Sequence, residues 1–238
     1  MPARLGSTRL PRKVLREVAG RPLLAWVVDA ARACPGLREV IVATDSEEVL
    51  ALCRAHGWTG RMTSGAHRSG TERVHEVAQA VAADVYVNIQ GDEPLLEPAH
   101  IELLLATMRD PKALVATLKA PCAPADVNNP NAVKVVTDLV GRALYFSRAP
   151  VPHDRDASGA VRYFKHLGVY AYRRAALDRF CALPESPLER GERLEQLRFL
   201  ENDMPIQVAE TPHDTIGVDT EEDLRRVEAV LLSRAGKR

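Results

Sequence analysis

The sequence lacks an excess of charge of either sign, because its 32 lysine and arginine residues are matched by 32 aspartate and glutamate residues. The broad positive field typical of non-specific nucleic-acid or anionic-membrane binding is therefore missing, and we expect neither partner. Long apolar runs are missing too. Runs such as 23–28 fall far short of the roughly 20 residues that a membrane-spanning helix needs. We expect a soluble protein with no membrane insertion.

Cysteine is scarce, and its four residues are scattered with no CxxC pair, which favours reduced thiols over a disulfide framework or a zinc site. No apolar stretch follows the basic opening residues, so no secretory leader is predicted and a cytoplasmic location is expected. The phosphate-loop patterns GxGxxG and GxxxxGK[ST] do not occur. Any anion must therefore be bound by another local cluster.

Hydrophobic periodicity alternates between strands and helices along the chain. It predicts strands at 39–44, 85–89 and 167–172, and helices at 23–31, 49–56, 71–81, 98–108, 188–200 and 221–232. Asp45 with Glu48, and Ser69 with Glu72, are predicted capping boxes. This order indicates an α/β fold with a doubly wound, mostly parallel, Rossmann-like sheet, whose ligands bind beyond the carboxyl ends of the strands.

The middle of the chain departs from this alternation. Residues 133–137 and 143–147 flank a turn at 138–141, which predicts a β-hairpin inserted into the fold. We expect one domain over 1–238, with 131–172 as a β arm. Because 131–148 carries more apolar surface than an isolated two-stranded ribbon can bury, a homodimer is predicted.

Near the start of the chain, cations and hydroxyls are concentrated around Gly6 and Pro11. The set consists of Arg4, Ser7, Thr8, Arg9, Arg12 and Lys13. A triphosphate needs several fixed cations and backbone donors, and guanidinium groups match phosphate oxygens in bidentate fashion. A basic tail is an equally good interpretation of the composition.

Two carboxylates occupy suggestive positions. Asp92, in Gln90-Gly91-Asp92-Glu93-Pro94, follows a predicted strand, and Asp219 precedes the last predicted helix. Together they can hold Mg²⁺ over phosphates, since this metal takes one or two protein oxygens. The first segment can equally be a turn, and Asp219 can be an N-cap.

A last polar set follows the arm. It comprises Lys165, His166 and Tyr170 with Glu189, Glu192, Glu195 and Gln196. In a continuous helix, Glu192, Glu195 and Gln196 would be neighbours, and such groups suit a polyhydroxylated ligand. A solvated charge and a structural histidine are the alternative interpretations.

Taken together, these segments resemble the ordered motifs of the 3-deoxy-manno-octulosonate (Kdo) cytidylyltransferase family, over essentially the whole chain. The motifs are Pro2-Ala3-Arg4, Ser7-Thr8-Arg9-Leu10-Pro11, Lys13, Ser69-Gly70-Thr71-Glu72-Arg73, Gln90-Gly91-Asp92-Glu93-Pro94, Asn129-Pro130-Asn131-Ala132-Val133-Lys134-Val135-Val136, Tyr145-Phe146-Ser147-Arg148, His166-Leu167-Gly168 and Gly217-Val218-Asp219-Thr220. The resemblance implies a nucleotidyltransferase domain that converts CTP and Kdo into CMP-Kdo and pyrophosphate for lipopolysaccharide synthesis, with a dimerising arm.

The resemblance also implies roles for individual residues. The catalytic set is Lys13, Arg4, Asp92 and Asp219, and Asp92 and Asp219 would bind Mg²⁺. The nucleotide set is Pro2, Ala3, Arg4, Ser7, Arg9, Lys13, Ser69, Arg73 and Asp92. The sugar-acid set is Gln90, Arg148, His166, Tyr170, Glu195 and Gln196, with Glu189 and Glu192 in reserve.

Three departures from the family pattern concern Arg12, often glycine there, Ala66, often acidic, and an apolar strand that precedes Pro2 in relatives. Because three residues are too few for a central strand and Pro2 has no amide hydrogen, we expect the true start to lie upstream.

Rival functions are transfer to 8-amino-Kdo or sialic acid, and a metal-dependent glycosyltransferase or nucleotide-sugar binder.

Overall fold

A computed structural model describes residues 1–6 and 10–235. Its strands are β1 (Glu17–Val18), β2 (Arg21–Pro22), β3 (Ile41–Thr44), β4 (Thr59–Met62), β5 (Tyr86–Asn88), β6 (Val115–Pro121), β7 (Lys134–Thr137), β8 (Ala143–Ser147), β9 (Phe164–Tyr172) and β10 (Ile206–Glu210). Its helices are α1 (Leu23–Arg32), α2 (Glu47–His56), α3 (Gly70–Ala80), α4 (Pro98–Thr107), α5 (Arg174–Ala182), α6 (Pro187–Glu192), α7 (Gln196–Glu201) and α8 (Glu221–Ala235). In this part of the chain no helix combines the length and the apolar character needed to cross a membrane.

The chain packs into two compact units. Unit 1 contains residues 1–82, 87–102 and the chain from Thr215 onward, and unit 2 contains 83–86 and 103–214. The predicted arm at 131–172 lies inside unit 2, whose limits are wider. The assignment of the whole chain to one nucleotidyltransferase domain stays a prediction.

Unit 1 is built on parallel pairing. β3 pairs with β4 in parallel, and Pro2 forms an isolated parallel bridge with Ala43 on the other side of β3. The buried face of α8 packs in one hydrophobic cluster of this unit, which contains Leu10, Val18, Leu23, Leu95, Val218, Leu224, Val227 and Leu231. The α/β class is confirmed, and these strand pairs have the predicted parallel direction.

Residues 1–3 take part in this pairing despite the proline. Ala3 donates its backbone N–H to Ala43 at 2.9 Å, and Ala43 donates to the Met1 carbonyl at 2.8 Å. In a parallel bridge the flanking residues make the bonds, so the missing N–H of Pro2 leaves no gap on the β3 side. On its other side the Pro2 carbonyl accepts a bond from Gly91 at 3.1 Å. The chain is thus tied to the sheet directly before Arg4.

Unit 2 has a mixed sheet in the order β10-β6-β9-β7-β8. Only the β10–β6 pair is parallel in this path, whereas β6–β9, β9–β7 and β7–β8 are antiparallel. The predicted hairpin is confirmed as β7 and β8. It is an integral part of the sheet, because Lys134 of β7 pairs with Lys165 of β9 and Arg142 bridges to Gln207 of β10.

Two local predictions are wrong. The predicted helix at 188–200 is broken into α6 and α7, because Arg193 has a left-handed backbone with φ 56° that ends α6. Glu192 therefore does not share a helical face with Glu195 and Gln196. Asp45 is no helix cap, since the N-cap of α2 is Ser46 and the Asp45 carboxylate binds Arg73. The cap at Ser69 is confirmed, because its side chain accepts the Glu72 N–H.

Candidate active site

A cleft of about 230 Å³ opens in unit 1 at the carboxyl end of β5. Its described lining consists of Pro2, Arg4, Gly6, Lys13, Val14, His67, Arg68, Ser69, Gly70, Arg73, Gln90, Gly91, Asp92 and Asp219. Asp92 and Asp219 are the acidic members of this lining, and the other ionisable residues are basic. Arg4 and Lys13 from the start of the chain therefore meet Asp92 and Asp219 in one place. It lies beyond the carboxyl end of a strand, where α/β sheets bind their ligands.

Lys13 lies at the centre of this convergence. Its ammonium nitrogen is 2.5 Å from Asp92 Oδ2 and 2.9 Å from Asp219 Oδ1. We call Lys13, Asp92 and Asp219 the Lys13 cluster. The side chain of Lys13 is 11% exposed, whereas those of Asp92 and Asp219 are 29% and 49% exposed. The cluster is a cationic group held between two carboxylates on the cleft wall.

Electrostatics keep Lys13 charged in this position. Burial lowers the pKa of Lys13, but attraction and hydrogen bonding by Asp92 and Asp219 outweigh burial and raise it above its usual value. Lys13 is therefore an ammonium ion at neutral pH and can donate to carboxylate or phosphate oxygens.

Backbone bonding places the two carboxylates side by side. The Val218 N–H donates to the Asp92 carbonyl at 2.9 Å, which joins the segment after β5 to the segment before α8. Thr220 and Asp223 exchange backbone-to-side-chain bonds of 2.9 and 3.1 Å at the start of α8. Because Thr220 and Asp223 fill the capping role, the N-cap interpretation of Asp219 is wrong, and its carboxylate contacts Lys13 instead.

Arg73 lines the cleft but is committed to structural contacts. Its guanidinium is buried, with Nη2 2.9 Å from Asp45 Oδ2 and Nη1 bonded to Thr63 Oγ1. Ser69 caps α3. Both predicted nucleotide residues therefore shape the cleft wall, and they fix the orientation of the 67–73 segment.

His67 and Arg68 were not among the residues singled out in the sequence, yet both line the cleft. The His67 Nε2 contacts Glu76, and the 70% exposed Arg68 side chain pairs with Glu72 at 3.2 Å. The side chain of Gln90 packs directly against Gly70. A Cβ on Gly70 would lie only 2.8 Å from Gln90 Nε2. The sequence did offer a signal for His67 and Arg68, because these residues directly precede the Ser69-Gly70 motif.

The remaining nucleotide candidates divide into two groups. Pro2 and Arg4 line the cleft, with Arg4 exposed, while Ala3 is buried behind them in the bridge to β3. Ser7 and Arg9 lie outside the described residues. Arg12, which departs from the family pattern, has φ 56° and directs its guanidinium to Glu48 at 2.6 Å. The left-handed backbone is the physical reason that glycine suits this position.

Four of the sugar-acid candidates cluster in unit 2. His166 and Tyr170 both belong to β9, with ring centroids 5.4 Å apart, beside an irregularity in the β6–β9 register. Burial, with Tyr172 and Glu195 nearby, raises the pKa of Tyr170 well above its usual value. Gln196 follows Glu195 as the first residue of α7 and is buried. Gln90, the fifth candidate, belongs to the cleft of unit 1.

Arg148, whose binding of the sugar acid stays a prediction, makes structural contacts in this conformation. Its guanidinium donates to three backbone carbonyls, those of Glu192 at 2.7 Å, Pro130 at 2.8 Å and Arg193 at 3.4 Å. Glu192, held in reserve, accepts from Ser147 Oγ at 2.6 Å and from the Arg148 N–H at 2.9 Å. These bonds tie β8 to the break between α6 and α7. In this conformation Arg148 supports the fold and its donors are engaged.

The protonation state of His166 gives a pH-dependent stability. Burial, and secondarily the charge of Lys165, lowers the pKa of His166 to about 3. The unfolded chain binds a proton at this residue below about pH 6.5, whereas the folded chain does not until about pH 3. Stability therefore falls with falling pH across that window.

We expect His166 to lower the free energy of unfolding by about 1.4 kcal/mol between pH 7.5 and pH 5.5. Urea unfolding of wild type and His166→Gln at both pH values measures this, because the variant lacks the contribution. Equal pH dependence in wild type and His166→Gln would contradict the prediction.

Comparison with known proteins places the chain among the cytidylyltransferases. A Cytidylyltransferase family profile matches residues 1–206. The 3-deoxy-manno-octulosonate cytidylyltransferase of Koribacter versatilis is 66% identical over 234 residues, which cover 98% of this chain and 89% of that protein. The corresponding protein of Acidobacterium capsulatum is 62% identical, with 98% and 96% covered.

A solved structure agrees with these relatives. CMP:2-keto-3-deoxy-manno-octonic acid synthetase, in complex with CTP, superposes with a TM-score of 0.93 at 44% identity, and covers 98% of this chain and 97% of that one. Together with the convergence of the motifs in one cleft, these matches show the family. The chain belongs to the 3-deoxy-manno-octulosonate cytidylyltransferase family.

Proposed function

We propose that this chain transfers the cytidylyl group of CTP to 3-deoxy-manno-octulosonate and releases pyrophosphate, a step that activates the sugar acid for lipopolysaccharide synthesis. The identity to proteins named for this reaction supports the proposal. The observation that carries it is the Lys13 cluster, in which three family motifs spread over 206 positions meet at one nitrogen in a cation-lined cleft.

The reaction makes one bond and breaks one. The anomeric hydroxyl oxygen of the sugar acid attacks the α-phosphorus of CTP in line, the bond from that phosphorus to the bridging oxygen breaks, and the hydroxyl proton passes to solvent water. Negative charge accumulates on the departing pyrophosphate. Lys13 and Arg4 would neutralise that charge and orient the triphosphate, which is the main catalytic contribution expected of fixed cations.

Mg²⁺ is the proposed cofactor, and the residues fit it. Asp92 and Asp219 already share one cation, the Lys13 ammonium, so the pair can hold another cation at the same point. Among the described residues no group of three or more metal-ligating side chains occurs. This suits Mg²⁺, which takes one or two carboxylates and completes its shell with phosphate and water oxygens. Bound there, the ion would supply charge neutralisation at the reacting phosphates.

For the sugar acid we propose His166, Tyr170, Glu195 and Gln196, all of unit 2. The neutral His166 and the protonated Tyr170 offer uncharged hydrogen-bonding groups, which can donate to and accept from sugar hydroxyls. Arg148 stands as a positioning residue in this proposal, because its donors hold the turn between α6 and α7.

A pyrophosphate-release screen tests the function. Each of the four nucleoside triphosphates is paired with Kdo, 8-amino-Kdo and sialic acid in the presence of Mg²⁺. We expect the fastest release with CTP and Kdo. Release confined to another sugar acid would reassign the acceptor, and no release with CTP and any acid would overturn cytidylyl transfer. The cytoplasmic location remains a prediction of the sequence.

We further propose that the β7–β8 hairpin pairs two copies of the chain. Its turn and second strand expose Leu139 fully, Val140 to 67% and Leu144 to 61%. Exposed apolar groups this close together favour an interface over solvent. Light scattering at micromolar concentration should give a dimer, and Leu139→Glu with Leu144→Glu should give a folded monomer. A wild-type monomer would contradict the proposal.

A further inference from the structure

Lys13 occupies the point on the cleft wall where a cation is bound by both carboxylates. Its nitrogen is within 2.9 Å of an oxygen of each aspartate. A divalent ion at that point would contact the same oxygens, and two cations do not share such a position because of their mutual repulsion. The ammonium and the metal therefore compete for the Lys13 cluster.

Apart from Asp92 and Asp219, the described lining of the cleft offers Lys13 no anionic partner. The other ionisable residues in the described lining are Arg4, His67, Arg68 and Arg73, which repel an ammonium ion or offer no anionic acceptor. The side chain is 11% exposed, so it does not simply extend into water. A polyphosphate entering the cleft would bring the missing acceptor oxygens.

We propose that Lys13 is a resident counter-ion that excludes divalent cations from Asp92 and Asp219 until a nucleoside triphosphate draws it away, so that nucleotide and metal load together. This rests on the proposed function in one respect, namely that the triphosphate and the metal use the same cleft. Its consequence is that loss of Lys13, a residue proposed to bind phosphate, strengthens metal binding in the absence of nucleotide.

Calorimetric titration with MnCl₂ and no nucleotide tests this directly. We expect Lys13→Met to bind Mn²⁺ at least about tenfold more tightly than wild type, because one positive charge has left the cluster. Arg16→Met is the matched control. It removes the same charge from the same segment, but its side chain pairs with Glu221 at 2.8 Å and not with the cluster. The double variant Lys13→Met/Asp92→Asn should lose the gain.

Thermal unfolding provides a second measurement, which can be made even when the substitution destabilises the protein. Without its counter-ion, Lys13→Met leaves two carboxylates facing each other, and added Mn²⁺ should raise its melting temperature more than that of wild type. Equal Mn²⁺ affinity and equal melting response in wild type and Lys13→Met would overturn the proposal, as would an equal gain in Arg16→Met. These results are independent of the pyrophosphate screen, so failure of the proposed reaction would be recognised separately.

Discussion

Replacing Asp92 by asparagine should lower the rate of pyrophosphate release by at least about a hundredfold, the size expected when a main electrostatic group of an active site is removed. Asp92 is 2.5 Å from Lys13 and is one of the two carboxylates proposed to hold Mg²⁺. The amide has almost the same shape but no charge, so it weakens both interactions. The steady-state rate with saturating CTP and Kdo measures the loss.

Asp178→Asn is a matched control for this substitution. Asp178 is an exposed carboxylate that pairs with Arg174 on α5 at 2.7 Å. Its replacement should leave the rate within about twofold, because surface ion pairs contribute little. Melting temperatures of both variants separate loss of catalysis from loss of folding. If folded Asp92→Asn retained a tenth or more of the wild-type rate, the assigned role would be wrong.

Glu189→Ala should cost about 3–5 kcal/mol of stability, because it leaves a buried charge without its partner. Arg198 Nε and Nη2 lie 2.7 and 2.5 Å from the two carboxylate oxygens of Glu189, with side chains only 4% and 9% exposed. The guanidinium also stacks over Phe180, 4.1 Å from the ring centroid. Urea unfolding measures the change in the free energy of unfolding.

Two further variants sharpen this measurement. Glu185→Ala removes an exposed pair with Arg190 at 3.3 Å and should cost less than about 1 kcal/mol. Glu189→Leu combined with Arg198→Met removes both charges. This double variant should recover much of the lost stability, because it leaves no buried charge without a partner. A cost below about 1 kcal/mol for Glu189→Ala would show that water reaches Arg198. Glu189 thus stabilises the fold around α6 and α7, and its reserve assignment to the sugar pocket stays a prediction.

The helix break at Arg193 shows where local patterns stop being informative. Residues 188–200 have helical periodicity, but Arg193 adopts a left-handed backbone that arginine does not favour. Arg148, which follows strand β8, binds the carbonyls of Glu192 and Arg193. Contacts across 44 and 45 positions therefore compensate a conformation that no window of neighbouring residues predicts.

Asp45 and strand β6 also show that local sequence patterns do not reveal contacts between distant segments. Asp45 has the spacing of a capping box, but the guanidinium of Arg73 lies 28 positions away in sequence and 2.9 Å away in space. β6 at Val115–Pro121, β4 and β10 were missed, as was helix α5. β4 pairs with β3 across the intervening helix α2, and β6 and β10 pair with strands still further away in sequence, so the stability of these strands is not visible in their own residues. The short strands β1 and β2 were missed too, although they pair with each other.

The sequence by itself determined the α/β class, α1 and α3 to within one residue at each end, the β7–β8 hairpin, the family and most members of the cleft. These depend on periodicity, caps and short motifs, which act within about one helical turn or one hairpin. Only the tertiary structure decided that Lys13 bridges Asp92 and Asp219, that Arg148 binds carbonyls and that His67 and Arg68 join the cleft. The reason is that hydrogen bonds and charges act over a few ångströms of space, and the distance along the chain does not enter.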